Sequence, residues 1–326
     1  QRQMCIRDRD YYHKKTRDLL QDVKIPSSTG FGSMMVNSGH ITNEGLELTG
    51  KFYVLQNTPL KWNIDANISF NRNRIGGLKA DQFAQKLWSS ADEVFIQRNG
   101  CPIGAIYGYV EDGFYDNLAE VMASPSADIR AKGAGMIGEI KYRNFDDNPD
   151  ITSADRVIIG DTNPDFVYGL TSNFEWKGVT LSFFLQGSQG NDIFNGNLMD
   201  MKMGNVGNIT REAYNTRWTE ANATQAKWPK AVSGYERNML ISNRYVEDGS
   251  YLKLKSLNIG YVWKPNFKGI SNVNVYASAT NLFTITGYSW FDPEVNAFGS
   301  DASRRGVDVY SYPSSRTFSL GIKVDF

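Results

Sequence analysis

The sequence is poor in most of what a soluble enzyme uses. Among 326 residues there are two cysteines, Cys5 and Cys101, and two histidines, His13 and His40. Two cysteines make neither a disulfide framework nor a metal cluster, and two histidines argue against a zinc centre or His-based catalysis. No charge of one sign prevails, since 35 basic residues balance 35 acidic ones. That excludes a strongly basic nucleic-acid binder and an acidic disordered tail. No apolar run reaches the ~18 residues that a transmembrane helix needs. The chain begins without an initiator Met or a signal peptide, so a piece of a longer protein is expected. The abundant residues are aromatics, at 13 %, and glycine, at 30. Both point to many strands and turns.

The organising signal has period two. Leu46, Leu48, Gly50, Phe52 and Val54 alternate with Glu47, Thr49, Lys51 and Tyr53. Trp62 to Phe70, Phe166 to Trp176, Val179 to Leu185, Val273 to Ala279 and Phe318 to Phe326 repeat the pattern. In 245–262 the apolar positions change parity near Ser256, from Leu252 and Leu254 to Leu257 and Ile259, as a β-bulge would require. Eight passes are predicted: 11–20, 41–55, 60–74, 166–176, 178–190, 245–262, 272–283 and 314–326.

Strands with one apolar and one polar face fit either a soluble sandwich or a transmembrane barrel with a wet interior. The connections alternate strictly between short (56–60, Lys177-Gly178, 263–271) and long (21–39, 75–165, 191–244, 284–313). Outer-membrane barrels sort their turns and loops in this way. Parity then keeps 75–165 outside the membrane, with its strand-like pieces 104–115 and 138–145, and puts the C-terminus in the periplasm. Tyr11, Tyr12, Trp62, Trp176, Tyr261, Trp263 and Phe326 fall near strand ends, where aromatic girdles form.

Several segments carry a family resemblance: NPDFVYGLTSNFEWKGVTLSFFLQGSQGNDIFN (163–195), RYVEDGSYLKLKSLNIGY (244–261), NVYASATNLFTITGYSWFDPEV (274–295) and YPSSRTFSLGIKVDF (312–326). With DYYHKKTRDLL (10–20) and ITNEGLELTG (41–50), they resemble the SusC/RagA-like TonB-dependent outer-membrane transporters. The resemblance implies an all-β antiparallel transmembrane barrel. Residues 10–326 would supply about eight C-terminal strands of a barrel of ~22, with long extracellular loops and the plug domain absent. It implies a nutrient importer rather than an enzyme, taking up glycans, oligosaccharides or peptides. A SusD-like surface lipoprotein would be its lid, TonB would act through the missing plug region, and the barrel-assembly machinery would insert it. The first nine residues, QRQMCIRDR, resemble translated sequencing-adapter read-through and are expected to be foreign, Cys5 included.

Site residues follow from that frame. Phe326, closing an alternating strand, looks like the assembly signal, read through an exposed strand edge. Trp218, Trp228, Tyr235, Trp290 and Phe291, in the outer loops, are candidates for substrate or lid contact, because aromatic faces stack on sugars and are favoured at interfaces. Packing between the loops is the rival role. Asp146, Asn148, Asp150 and Asp155 resemble the family's Asp-rich loop, a candidate structural calcium site, although Pro149 replaces a glycine and the loop is short. The rival is an acidic turn held by Asx hydrogen bonds. Otherwise no cofactor is expected. Glu247, Asp248, Asp292 and Glu294 invite comparison with paired glycosidase acids, but no partner acid is identifiable. The alternative function is a secreted β-sandwich that binds carbohydrate. A small outer-membrane barrel enzyme is a third reading, without a catalytic constellation to support it.

Overall fold

A computed structural model describes residues 5–24, 27–86, 93–203, 208–232, 236–266, 269–299 and 301–325. Tyr235 and Phe326 lie outside the described residues. Eight long strands form one sheet in chain order, each antiparallel to the next. They are β1 (Cys5–Arg17), β2 (His40–Leu55), β3 (Leu60–Gly76), β4 (Phe166–Trp176), β5 (Val179–Gln189), β6 (Tyr251–Trp263), β7 (Asn272–Thr286) and β8 (Thr317–Asp325). All eight predicted passes are present. A sandwich would split them between two facing sheets. Here a single sheet runs from β1 to β8, with both outer edges open among the described residues.

The turns between β2 and β3, β4 and β5, and β6 and β7 all lie at one end, and the long connections lie at the other. The tightest turn has both central residues left-handed, Lys177 at φ 48° and Gly178 at φ 87°. A two-residue type I′ hairpin needs that combination to match the strand twist.

Register converts the alternation into a two-faced wall. On one face, Leu48, Ile68 and Tyr168 lie in one row, and Ile259, Ala277 and Leu320 lie in another. Toward the loop end the apolar face stops at Tyr11, Leu46, Phe70 and Phe166, the last two with ring centroids 5.7 Å apart. One step further it is charged: His13 meets Glu44 at 2.9 Å, and Arg72 meets Asp165 at 2.6 Å. Toward the turn end it is bounded by exposed Trp176, Tyr261 and Trp263. From Trp62 to Phe70 is eight steps. At ~3.4 Å each and ~40° of tilt, they rise ~21 Å, close to the ~25 Å apolar band of an outer-membrane barrel. Tyr12, expected in the girdle, is on the opposite face. Its ring covers Gly45 and its hydroxyl donates to Asn71 Oδ1 at 3.0 Å.

That opposite face is polar. One row crosses seven strands as Tyr53, Asn63, Asn173, Ser182, Asn258, Ser278 and Ser319. Asn173 Nδ2 donates to Asn63 Oδ1 at 2.8 Å, and Ser182 Oγ donates to Asn173 Oδ1 at 2.6 Å. The ion pairs Lys51–Asp65 (3.4 Å) and Lys61–Glu175 (3.0 Å) flank it.

The predicted bulge is at Lys255. Between two neighbouring rows, β5 advances from Phe184 to Leu185, β6 from Ser256 to Leu254, and β7 from Thr280 to Phe283. These are one, two and three steps, so each strand takes one residue more than the last. Asn281 absorbs part of the mismatch in the left-handed region, at φ 52°. The expected single pass 245–262 is two elements. Val246–Asp248 pairs with Asp192–Asn195 in a separate small sheet, and β6 starts only at Tyr251, after Gly249 and Ser250.

Most of the buried apolar side chains belong to the long connections. Phe95, Ile106, Ile140, Phe194, Met199, Ile241, Tyr245 and Val307 pack in one cluster fed by three of them. The pieces 104–115 and 138–145 belong there, as Ala105–Gly108, Glu111–Phe114 and Ile140–Tyr142, outside the large sheet. The connections 77–165, 190–250 and 287–316 thus fold together as one body on the loop end of the wall.

Candidate functional site

The loop body holds the candidate residues, and it sorts them. Trp218 and Trp228 are buried. Trp218 Nε1 donates to Asp116 Oδ1 at 2.9 Å, and the ring lies against Gly138, where a Cβ would collide with it. The Arg244 guanidinium lies 5.2 Å from the Trp228 ring centre. Both tryptophans knit the 77–165 and 190–250 connections together, the packing role weighed for them in the sequence. Trp290 and Phe291 make an edge-on pair with centroids 5.3 Å apart, and Phe291 is 68 % exposed.

Next to Trp228 is a cleft of about 400 Å³ lined by Glu111, Glu212, Lys227, Arg244, Glu247 and Ser289. Arg244 grips Glu111 through two nitrogens, at 2.9 and 2.5 Å, and Ser242 Oγ adds a third bond at 2.7 Å. Glu247 accepts from the Ser289 N–H and Oγ, both at 2.7 Å, and from Asn195 Nδ2 at 3.1 Å. Both Glu247 oxygens are therefore committed to loop structure.

The Asp292 and Glu294 carboxylates are equally committed. Lys253, 1 % exposed, donates to Asp292 at 2.7 and 2.9 Å and to Glu294 at 2.5 Å. Lys255 reaches the same Glu294 at 2.7 and 2.8 Å. The bulge makes this possible, because Lys255 is the extra residue of β6. Burial, the largest single influence, pushes both carboxyl pKa values up, but the hydrogen bonds and charges around them, those of Lys253 foremost, together outweigh it and hold both below the usual carboxylate range. Ser314 lowers Asp292 further, and Lys255 does the same to Glu294. Nothing in the alternation marked Lys253 or Lys255. A lysine beside a parity change is the signal that was present.

The Asp-rich loop is a ladder of Asx turns. Asn144, Asp146 and Asn148 each accept the backbone N–H two residues on, at 2.8 to 3.1 Å. Asp150 accepts from Ser126 Oγ, at 2.5 Å. Buried Asp155 accepts the N–H groups of Phe145 (2.7 Å) and Thr152 (2.8 Å). Among the described residues no three or more His, Cys, Asp or Glu side chains converge on one point. These four residues, spent separately on the backbone and on Ser126, do not fit a calcium cage. Cys101 is a half-buried free thiol whose backbone is tied to Arg98 and Ile75.

No protein-family model matches the chain. It is 34 % identical to TonB-dependent receptor P3 of Formosa agariphila and 28 % identical to TonB-dependent receptor SusC of Bacteroides thetaiotaomicron, in each case over 97 % of its length. It spans about a third of those relatives, 32 % and 30 % respectively. Among solved structures, the RagAB peptide importer in its open-open state superposes with a TM-score of 0.76 at 22 % identity. The closed-closed state gives 0.72 at 24 %. Each match covers 99 % of this chain and 33 % of the other. At such identities the superposition speaks for the fold, and the sequence matches carry the relationship. By sequence along 97 % of its length, and by its fold, this chain is similar to a SusC/RagA-like barrel segment of the TonB-dependent receptor type.

Proposed function

We propose that this chain is part of the wall and outer loops of an outer-membrane nutrient importer. The supporting observation is the two-faced sheet, whose apolar band has the height of an outer membrane and whose other face is a continuous row of amides and hydroxyls. The polar face lines a wet lumen, and the loop body faces the outside. Every short turn, and the end of β8, is then periplasmic. The open edges of β1 and β8 pair with further strands of the same barrel, because an unpaired edge inside lipid leaves its N–H and C=O groups unsatisfied.

The importer works without chemistry on its substrate. Solute enters from the outside between the loops and crosses the polar lumen when TonB displaces a plug. A SusD-like lipoprotein lid captures it first. The partner is suggested by the relative named SusC and by the RagAB structures. The substrate class is a glycan, an oligosaccharide or a peptide, and exposed Phe291 is the best placed of the four described aromatic candidates to meet it or the lid. The test is uptake of labelled oligosaccharides and peptides by cells carrying the intact gene, with and without TonB. Import of one class that stops without TonB is the expected result. Recovery of the intact product from the soluble fraction would overturn the reading.

Residues 5–9 fit this wall poorly, and we infer that the first nine residues are foreign to it. Arg7 and Arg9 fall on the apolar face, opposite Gly50 and Leu48. An arginine facing lipid costs up to ~2–4 kcal/mol at mid-membrane. Resequencing the source gene should return alternating apolar residues at these positions.

A further inference from the structure

Strands β1 to β3 continue beyond the apolar band, and their two sides differ there. The polar side carries the loop body. Asn73 Nδ2 donates to Asn163 Oδ1 at 2.9 Å, Asn73 Oδ1 accepts the Ile103 N–H at 2.7 Å, and Ile75 is buried. The alternate residues share the side of the apolar band. Register sets them in three rows above the edge formed by Tyr11, Leu46 and Phe70. The first row is His13, Glu44 and Arg72, the second is Lys15, Thr42 and Arg74, and the third is Arg17, His40 and Gly76. The first row is neutralised, because Glu44 bonds to His13 and Asp165 bonds to Arg72. In the other two rows Lys15, Arg17 and Arg74 are exposed and have no ion-pair partner among the described residues.

Like charges on neighbouring rows of a sheet repel, and a bound anion reverses that. Lys15 and Arg74 flank Thr42 at two strand spacings from each other, ~10 Å, so long side chains can close on an anion above its hydroxyl. A forked guanidinium, an ammonium and a hydroxyl together suit a phosphate, which offers several oxygens and more than one charge. Depth fits a lipid headgroup. Lys15 and Arg74 are four residues beyond Tyr11 and Phe70, a rise of ~10 Å at ~3.4 Å per residue and ~40° of tilt. The headgroup layer is ~5–8 Å deep on each side of a bilayer, so both side chains reach back into it. Hydrocarbon has a seat directly below. Beneath the edge lies a groove whose floor on β2 to β4 is Leu48, Gly50, Ala66, Ile68, Tyr168 and Leu170, with the small pair Gly50 and Ala66 side by side. Cations, then rings, then an apolar groove match an amphiphile with its anion uppermost.

We propose that Lys15, Arg17, Thr42 and Arg74 hold the phosphate of an outer-leaflet lipid whose acyl chains lie on Leu46 and Phe70 and in the groove below. The proposal rests on the reading of the sheet as a membrane wall, and its site is on the side opposite the import path. The test uses the full-length transporter, delipidated in detergent. The probes are lipid A, the same lipid with its phosphates removed, and inorganic phosphate, with bound lipid counted by native mass spectrometry. Lipid A should bind at least about tenfold more tightly than its dephosphorylated form. Lys15→Gln and Arg74→Gln should each weaken lipid A by about fivefold, the equivalent of ~1 kcal/mol for one cation near a membrane surface. Neither should alter binding of the dephosphorylated lipid, and Lys15→Arg should keep the full affinity. If a glutamine variant loses the heat-modifiable barrel, Thr42→Val gives the same reading, with weakened binding of lipid A alone. Equal affinity for the two lipid forms overturns the site, and so does unchanged affinity in the variants. Inorganic phosphate that binds as tightly as lipid A would make it a free-anion site and overturn the lipid. Recovery of the intact protein without detergent would sink wall and site together, whereas a membrane-inserted importer indifferent to the phosphate loses only the site.

Discussion

Lys253 and Asp292 are joined by two hydrogen bonds, 2.7 and 2.9 Å, between a strand of the wall and the loop that leaves its neighbour. The lysine is 1 % exposed. A buried cation with two carboxylates around it is costly to disturb, because removing one partner leaves the others desolvated and unpaired. Lys253→Met should therefore release the 287–316 connection at a cost of about 3–5 kcal/mol in local stability. Hydrogen exchange at the Glu294 N–H, which Asp292 Oδ1 accepts at 2.9 Å, reads this directly, and unaltered protection there would show that the cluster is not the anchor.

The same cluster sets a pH dependence. Asp292 and Glu294 titrate below the ordinary carboxylate range in the folded protein. The folded state then binds fewer protons than the unfolded one as the pH falls, and it loses stability through that window. Lys253, Lys255, Tyr251 and Ser314 face the two carboxylates. Anchoring should be constant above the normal carboxylate pKa of ~4 and fade below it. Exchange followed from pH 7 to pH 3 should show the fall, with a flatter profile in Lys253→Met.

Three tyrosines sit directly opposite glycines across the sheet: Tyr12 and Gly45, Tyr168 and Gly187, and Tyr276 and Gly321. At each glycine an added Cβ would be driven into the tyrosine ring. Gly187→Ala and Gly321→Ala should destabilise the barrel by about 1–3 kcal/mol through overpacking. The penalty at Gly187 should shrink when Tyr168 is also replaced by Ala. A double-mutant cycle on the heat-modifiability of the intact barrel measures this, and additive effects would mean that ring and glycine do not share the space.

Single cysteines should report the two faces. At Asn67, Asn173 and Ser182 a membrane-impermeant maleimide should label the intact transporter from water, while Ile68 and Leu181 should react only with a lipid-phase reagent. Lipid-side labelling at Asn67 would refute the register.

The Asx ladder should be indifferent to calcium. Chelation should leave the melting temperature of the loop body unchanged, whereas Asp155→Ala, which orphans two partly buried N–H groups, should cost about 1–3 kcal/mol. A melting temperature that falls on chelation would restore the metal site.

The alternation of side chains by itself determined the wall. Eight passes, their order, the short and long ends and a bulge near Ser256 were legible, because strand periodicity is local and a lipid-facing surface admits few exceptions. The loop body was not legible. Its core joins Phe95, Ile140, Phe194, Tyr245 and Val307 across more than two hundred residues, and no local period records such contacts. Only the tertiary structure decided that Trp218 and Trp228 are buried while Tyr310, left-handed at φ 53°, and Tyr312 are not, and that Lys253 meets Asp292. Those outcomes depend on which connections fold against which, and a buried charge or a left-handed tyrosine is tolerated only where its surroundings supply the partners.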